Sequence, residues 1–228
     1  MARLRNTERA FLQKPEFYKE YCKFMDEYLE LGHMREVGEY PNNIEHNSYF
    51  LPHHGVEKLS STTTKLRVVF DGSSKYRNHR SLNGELAAGP ALQCDLVQII
   101  LRWRKHNIAL CSDIEKMFRQ IVVIPIHQKY QQILWRKSAV DPVKIYKLLT
   151  VTYGTTPAPL LSVRTLKQLA TDEAKTYPDA SEVLLRDIYV DDVITGADDV
   201  VEGLYLQDQL RKLLDLSFGN GRQTLPNY

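Results

Sequence analysis

Two adjacent acids, Asp191-Asp192, interrupt an apolar stretch, with Leu184-Leu185-Arg186-Asp187-Ile188-Tyr189-Val190 before them and Val193-Ile194-Thr195-Gly196 after. Aspartate is depleted in strands, and two like charges side by side repel. The pattern therefore reads as two strands, Asp187-Ile188-Tyr189-Val190 and Val193-Ile194-Thr195, joined by a tight turn that holds both carboxylates. There they can reach solvent or a ligand. An Asp-rich turn with no ligand has the same local pattern. A divalent cation is the usual means of offsetting such paired charge.

A second segment has matching chemistry. Asn107-Ile108-Ala109-Leu110-Cys111-Ser112-Asp113-Ile114 is a short apolar run that delivers one acid at its end, followed by Glu115-Lys116-Met117-Phe118-Arg119-Gln120. Asp113 alone could equally cap a helix. Taken with Asp191 and Asp192, it suits Mg²⁺, which prefers oxygen ligands and is held by one or two carboxylates plus substrate phosphates. Two such ions about 3.5–4 Å apart can activate an attacking oxygen and stabilise a leaving one.

Ser112-Asp113-Ile114-Glu115-Lys116-Met117-Phe118-Arg119-Gln120-Ile121 and Tyr189-Val190-Asp191-Asp192 resemble motifs A and C of reverse transcriptases, most closely those of BEL/Pao LTR retrotransposons. Four further stretches agree in the same order. They are Tyr49-Phe50-Leu51-Pro52-His53-His54-Gly55-Val56, Thr64-Lys65-Leu66-Arg67-Val68-Val69-Phe70-Asp71-Gly72-Ser73, Ser81-Leu82-Asn83-Gly84 and Thr152-Tyr153-Gly154-Thr155-Thr156-Pro157-Ala158-Pro159. The resemblance spans residues 45–215.

That resemblance implies a catalytic, metal-binding set of Asp113, Asp191 and Asp192, with Mg²⁺ as cofactor and Mn²⁺ as substitute. It implies Phe118 beneath the incoming nucleotide's sugar, where a ring excludes a 2′-hydroxyl by size; without the family, a core Phe is the plainer reading. Lys58 and Arg67 match residues that grip the triphosphate, as point charge and planar fork respectively. Gly154, which lets backbone approach the nucleotide, and Tyr153 beside it match motif B. Tyr189 completes the substrate-binding set. The implied function is RNA-directed DNA synthesis on an RNA or DNA template–primer, using deoxynucleoside triphosphates. A binding module that no longer polymerises, or an inert relic, is the alternative.

The implied fold is α+β, a polymerase fingers and palm with a mainly antiparallel sheet packed with helices. Local patterns agree. Residues 5–31 read as one amphipathic helix, with Phe11, Phe17, Tyr21, Phe24, Tyr28 and Leu31 near helical spacing. Residues 33–47 read as a polar connector, and Leu59-Ser60-Ser61-Thr62-Thr63-Thr64 as the turn of a strand hairpin. Residues 92–105 are helical in pattern; Gln131-Gln132-Ile133-Leu134-Trp135 and Lys144-Ile145-Tyr146-Lys147-Leu148-Leu149 read as strands. Helices are expected over 160–176 and 200–214. In chain order this gives an N-terminal helical segment and connector over 1–44, fingers and palm over 45–214, and a divergent tail over 215–228.

From Asp215 onward the resemblance fades, and the family's thumb and RNase H continuation is not recognisable. A shift of reading frame near Asp215 is the hypothesis. A coding DNA whose other frame holds no retrotransposon continuation rules it out. Loss of a basic thumb would cost phosphate contacts and processivity.

A net charge of +2 advertises no strong electrostatic footprint for nucleic acid, although basic and aromatic residues cluster in Arg102-Trp103-Arg104-Lys105-His106. Three cysteines, Cys22, Cys94 and Cys111, lack zinc spacing and argue against a disulfide framework. No secretory h-region or membrane-length apolar run occurs, so an intracellular protein is expected, cytoplasmic with a nuclear location left open. The sequence leaves the oligomeric state unknown.

Overall fold

The structure, a computed structural model, describes residues 1–41, 49–57, 66–76 and 80–218. The chain forms two compact units that interleave in sequence, one from residues 1–87 and 122–158, the other from 88–121 and 159–228.

In the first unit the amphipathic N-terminal pattern resolves into two helices, α1 (Ala2–Gln13) and α2 (Pro15–Glu30). The expected single helix is broken because the residue before a proline is driven out of helical geometry, and Lys14 takes φ −137° and ψ 78°. The anticipated polar connector also contains a strand, β1 (Met34–Glu39). It pairs antiparallel with β6 (Lys144–Leu148), which in turn pairs with β5 (Gln132–Trp135), in the order β1-β6-β5. A separate hairpin pairs β2 (His53–Glu57) with β3 (Leu66–Phe70). The polar turn anticipated between β2 and β3 lies outside the described residues, as does the tail from 219 onward. Two one-turn helices, α3 (Leu82–Glu85) and α5 (Pro125–Gln128), complete the unit. Its core is strongly aromatic, with Phe11, Tyr21, Tyr28, Phe70, Trp135 and Tyr146 buried together.

The second unit carries the three acids. Helix α4 (Leu96–Trp103) is capped by Asp95, whose carboxylate accepts from the amides of Val97 and Gln98. It leads into β4 (Ile108–Asp113). Helix α6 (Ala158–Asp172), which the chain enters from the first unit, precedes α7 (Pro178–Arg186), the hairpin β7 (Ile188–Tyr189) and β8 (Asp192–Ala197), and the long α8 (Val200–Phe218). Leu184-Leu185-Arg186, the start of the apolar stretch before the acids, ends α7, and the strand is confined to Ile188–Tyr189. Pro178 at the first helical position and the buried Ala180, Val183 and Leu184 at i, i+3, i+4 spacing explain this. The antiparallel sheet runs β4-β8-β7. One face, with Val193 and Leu110, packs on apolar residues of α6, α7 and α8.

Among the described residues no helix is long and apolar enough to cross a membrane.

Candidate active site

Register puts Asp113 and Asp192 on one face. In the β4–β8 ladder Asp113 lies opposite Asp192, and Ser112 opposite Val193. Strand side chains alternate, so Ser112 and Val193 turn toward the helices while Asp113 and Asp192 share the other face. Asp191 enters from the turn. Tyr189 pairs with Asp192, which leaves Val190-Asp191 as a two-residue loop. Its first residue, Val190, has φ +59°. Such a loop matches strand twist with a positive φ at that position, normally supplied by Gly. A β-branched residue there is strained. The Ile114 amide donates to the Asp191 carbonyl at 2.8 Å and ties the turn to the end of β4.

Carboxylate oxygens of Asp113, Asp191 and Asp192 all lie within 4.8 Å of one another. Asp113 and Asp192 are exposed and Asp191 half-buried. Partial burial, and then the negative charge of Asp191, push the Asp192 carboxyl above its usual range. Burial, and then the charge of Asp192, likewise raise the Cys111 thiol on the same face of β4. A hard divalent cation fits this donor set: three oxygens converge, all reachable from solvent, under mutual repulsion that a positive charge would relieve.

The other residues singled out from the sequence fall in both units. Phe118 lies in a single 3₁₀ turn, Met117–Gln120, just after β4, partly buried against the second unit's core. Lys116 enters that turn in left-handed geometry, at φ +51°. Tyr189 is half-buried in β7. Arg67, Tyr153 and Gly154 belong to the first unit. Arg67 is exposed on β3. Tyr153 donates its hydroxyl to the Val68 carbonyl and packs its ring against Phe70, with centroids 5.8 Å apart. Gly154 has φ +88°, and an added Cβ would meet the Phe70 carbonyl at 3.1 Å, so a side chain is disfavoured there twice over. Lys58 lies outside the described residues.

Asn83 ties together the first unit's motif residues, a role that sequence reasoning missed. Its Nδ2 donates to the Gly154 carbonyl and to Ser73 Oγ, each at 2.9 Å, while its Oδ1 accepts from the Thr156 amide at 2.9 Å. Its own amide donates to the Gly72 carbonyl at 2.9 Å. One side chain thus joins three of the sequence motifs. The signal available was the motif Ser81-Leu82-Asn83-Gly84 itself, which gave no hint of its partners.

Fold and site together define a class: an α+β architecture in which a strand end and a tight hairpin converge three carboxylates. The crystal structure of the prototype foamy virus protease–reverse transcriptase, a selenomethionine-labelled mutant, has this fold, with a TM-score of 0.64 and 17% sequence identity. The match covers 90% of this chain and 23% of that one, so the present chain spans about a quarter of its length. At that identity the likeness is one of fold, reverse-transcriptase-like. No protein-family model and no curated protein matches the sequence.

Proposed function

We propose that this chain is the fingers and palm of an RNA-directed DNA polymerase of the BEL/Pao retrotransposon kind. The observation that carries the reading is the convergence of Asp113, Asp191 and Asp192 within 4.8 Å where the end of β4 meets the β7–β8 turn. A primer 3′-hydroxyl attacks the α-phosphate of a deoxynucleoside triphosphate, and pyrophosphate leaves. Asp113 and Asp191 would hold the Mg²⁺ ions, with Mn²⁺ as substitute, and Asp192 adds negative field and hydrogen bonding. When bound, the ions supply charge neutralisation at the phosphate and a lowered pKa for the attacking hydroxyl.

The remaining residues bind and select. Arg67 and Lys58 offer a fork and a point charge to phosphate oxygens. Phe118 restricts room at the sugar's 2′-position, and Tyr153, Gly154 and Tyr189 border the nucleotide. The partners are a template–primer of RNA or DNA and the incoming nucleotide.

Primer extension on poly(rA)–oligo(dT) with Mg²⁺ or Mn²⁺ tests this reading. Incorporation by the parent chain should vanish in Asp191→Asn while the circular dichroism spectrum stays the same. Undiminished incorporation in that variant would sink the assignment. Folded parent protein that incorporates nothing but binds template–primer in a salt-dependent way would favour a binding role instead. Phe118→Ala should admit ribonucleotides, and unaltered sugar discrimination would remove Phe118 from the pocket.

A further inference from the structure

Just before the acid-bearing hairpin lies a carboxylate that the proposed chemistry does not use. Asp187 is 1% exposed. Its Oδ1 accepts from Arg102 Nε at 2.9 Å, and its Oδ2 from Thr195 Oγ1 at 3.3 Å. Arg186 adds longer contacts, Nη2 to Oδ2 at 3.5 Å and Nε to Oδ1 at 3.4 Å. The Arg102 fork spends a second donor, Nη2, on the Arg186 carbonyl at 2.6 Å. The Ile194 amide donates to the Asp187 carbonyl at 2.9 Å. Helix α4, the residues leading into β7, and β8 therefore all meet at one buried side chain.

The hairpin needs such support. Strand β7 is two residues long, with two register pairs to β8, and its turn holds Val190 at φ +59°. A ladder that short does not hold a strained turn by itself. Leaving a carboxylate this buried without a partner is costly, and Arg102 supplies the partner. Lysine could not replace it, since one ammonium lacks the planar fork that reaches both acceptors.

We infer that Arg102 and Asp187 form a positioning clamp that fixes the Asp191-Asp192 turn against Asp113. The inference rests on reading the three acids as the polymerase's metal-binding set. Neither clamp residue touches substrate; both act through the turn.

Two readouts on the full chain test it: amide hydrogen exchange in the hairpin, and Mn²⁺ binding followed by electron spin resonance. The variants are Arg102→Gln and the pair Arg102→Gln/Asp187→Asn, which leaves no unpaired buried charge and so keeps the fold. In both, exchange at Ile194 and Val193 should quicken at least tenfold while β5 and β6 amides keep their protection. Mn²⁺ should bind at least tenfold more weakly, and Arg102→Lys should not restore it. Unchanged hairpin exchange in the double variant would overturn the clamp, as would faster exchange with unaltered Mn²⁺ affinity. A parent chain that binds no more Mn²⁺ than Asp191→Asn would instead overturn the metal reading, and hairpin exchange would still decide whether the clamp exists.

Discussion

The His53 imidazole is buried between the Tyr21 hydroxyl, 2.5 Å from Nδ1, and the Leu134 carbonyl, 2.9 Å from Nε2. A carbonyl can only accept, so Nε2 carries the proton and Nδ1 accepts from Tyr21. The neutral ring is thereby fully satisfied. Burial, the largest influence, depresses its pKa to about 4 from an ordinary 6.5. Between those values the unfolded chain binds a proton that the folded chain refuses, so stability falls as pH drops through that window. At roughly 1.36 kcal/mol per unit, the loss from this ring by pH 4 is about 3 kcal/mol. Urea unfolding of parent and His53→Asn at pH 7 and pH 4.5 checks this. The variant should be the less stable at pH 7, and the gap should narrow at the lower pH; a constant gap would show that His53 does not set the acid limit. None of this was legible beforehand, since His53 becomes buried only when α2, β2 and β5 come together. The hairpin turn at Asp191-Asp192 was legible because paired aspartates are disfavoured inside a strand. Asn83 was not, because its partners lie at Gly72, Ser73, Gly154 and Thr156.

At the scale of elements, β8 holds a close approach that explains one glycine. Gly196 is buried opposite Ala109, and a Cβ there would meet the Ile108 carbonyl at 2.5 Å and His106 Cβ at 2.6 Å. Backbone oxygen cannot step aside as a flexible side chain can. Gly196→Ala should therefore cost at least about 2 kcal/mol, since overpacking would force β4 and β8 apart. Denaturant midpoints would reveal it, and a cost under about 0.5 kcal/mol would mean the ladder yields there easily. Element types were readable where patterns ran long or local: α4, β5, β6 and α8 follow their periodicity. Strand β1 was hidden because Arg35, Glu36, Gly38 and Glu39 look like loop residues, and only pairing with β6 makes Met34–Glu39 a strand. The division of α1 from α2 was written in Pro15, a signal that the continuous apolar pattern around it obscured.

For the whole molecule, the decisive feature is that the chain passes between units after residues 87, 121 and 158. The central sheet of the first unit takes β1 from its early segment and β5 and β6 from its late one. A fragment of residues 1–121 should consequently lack a cooperative unfolding transition and be digested rapidly by protease. Native-like protection of that fragment would show that β5 and β6 are dispensable. The same threading bears on inheritance. Suppose two diverged copies of this gene recombine once, anywhere between residues 114 and 158. Both units then become mosaics, and Asp113 is drawn from one parent while Asp191 and Asp192 come from the other. Helix α4 with Arg102 is likewise parted from Asp187. No single exchange in that interval can transplant the acid site intact, so variants of the site should spread as linked blocks rather than as separable parts.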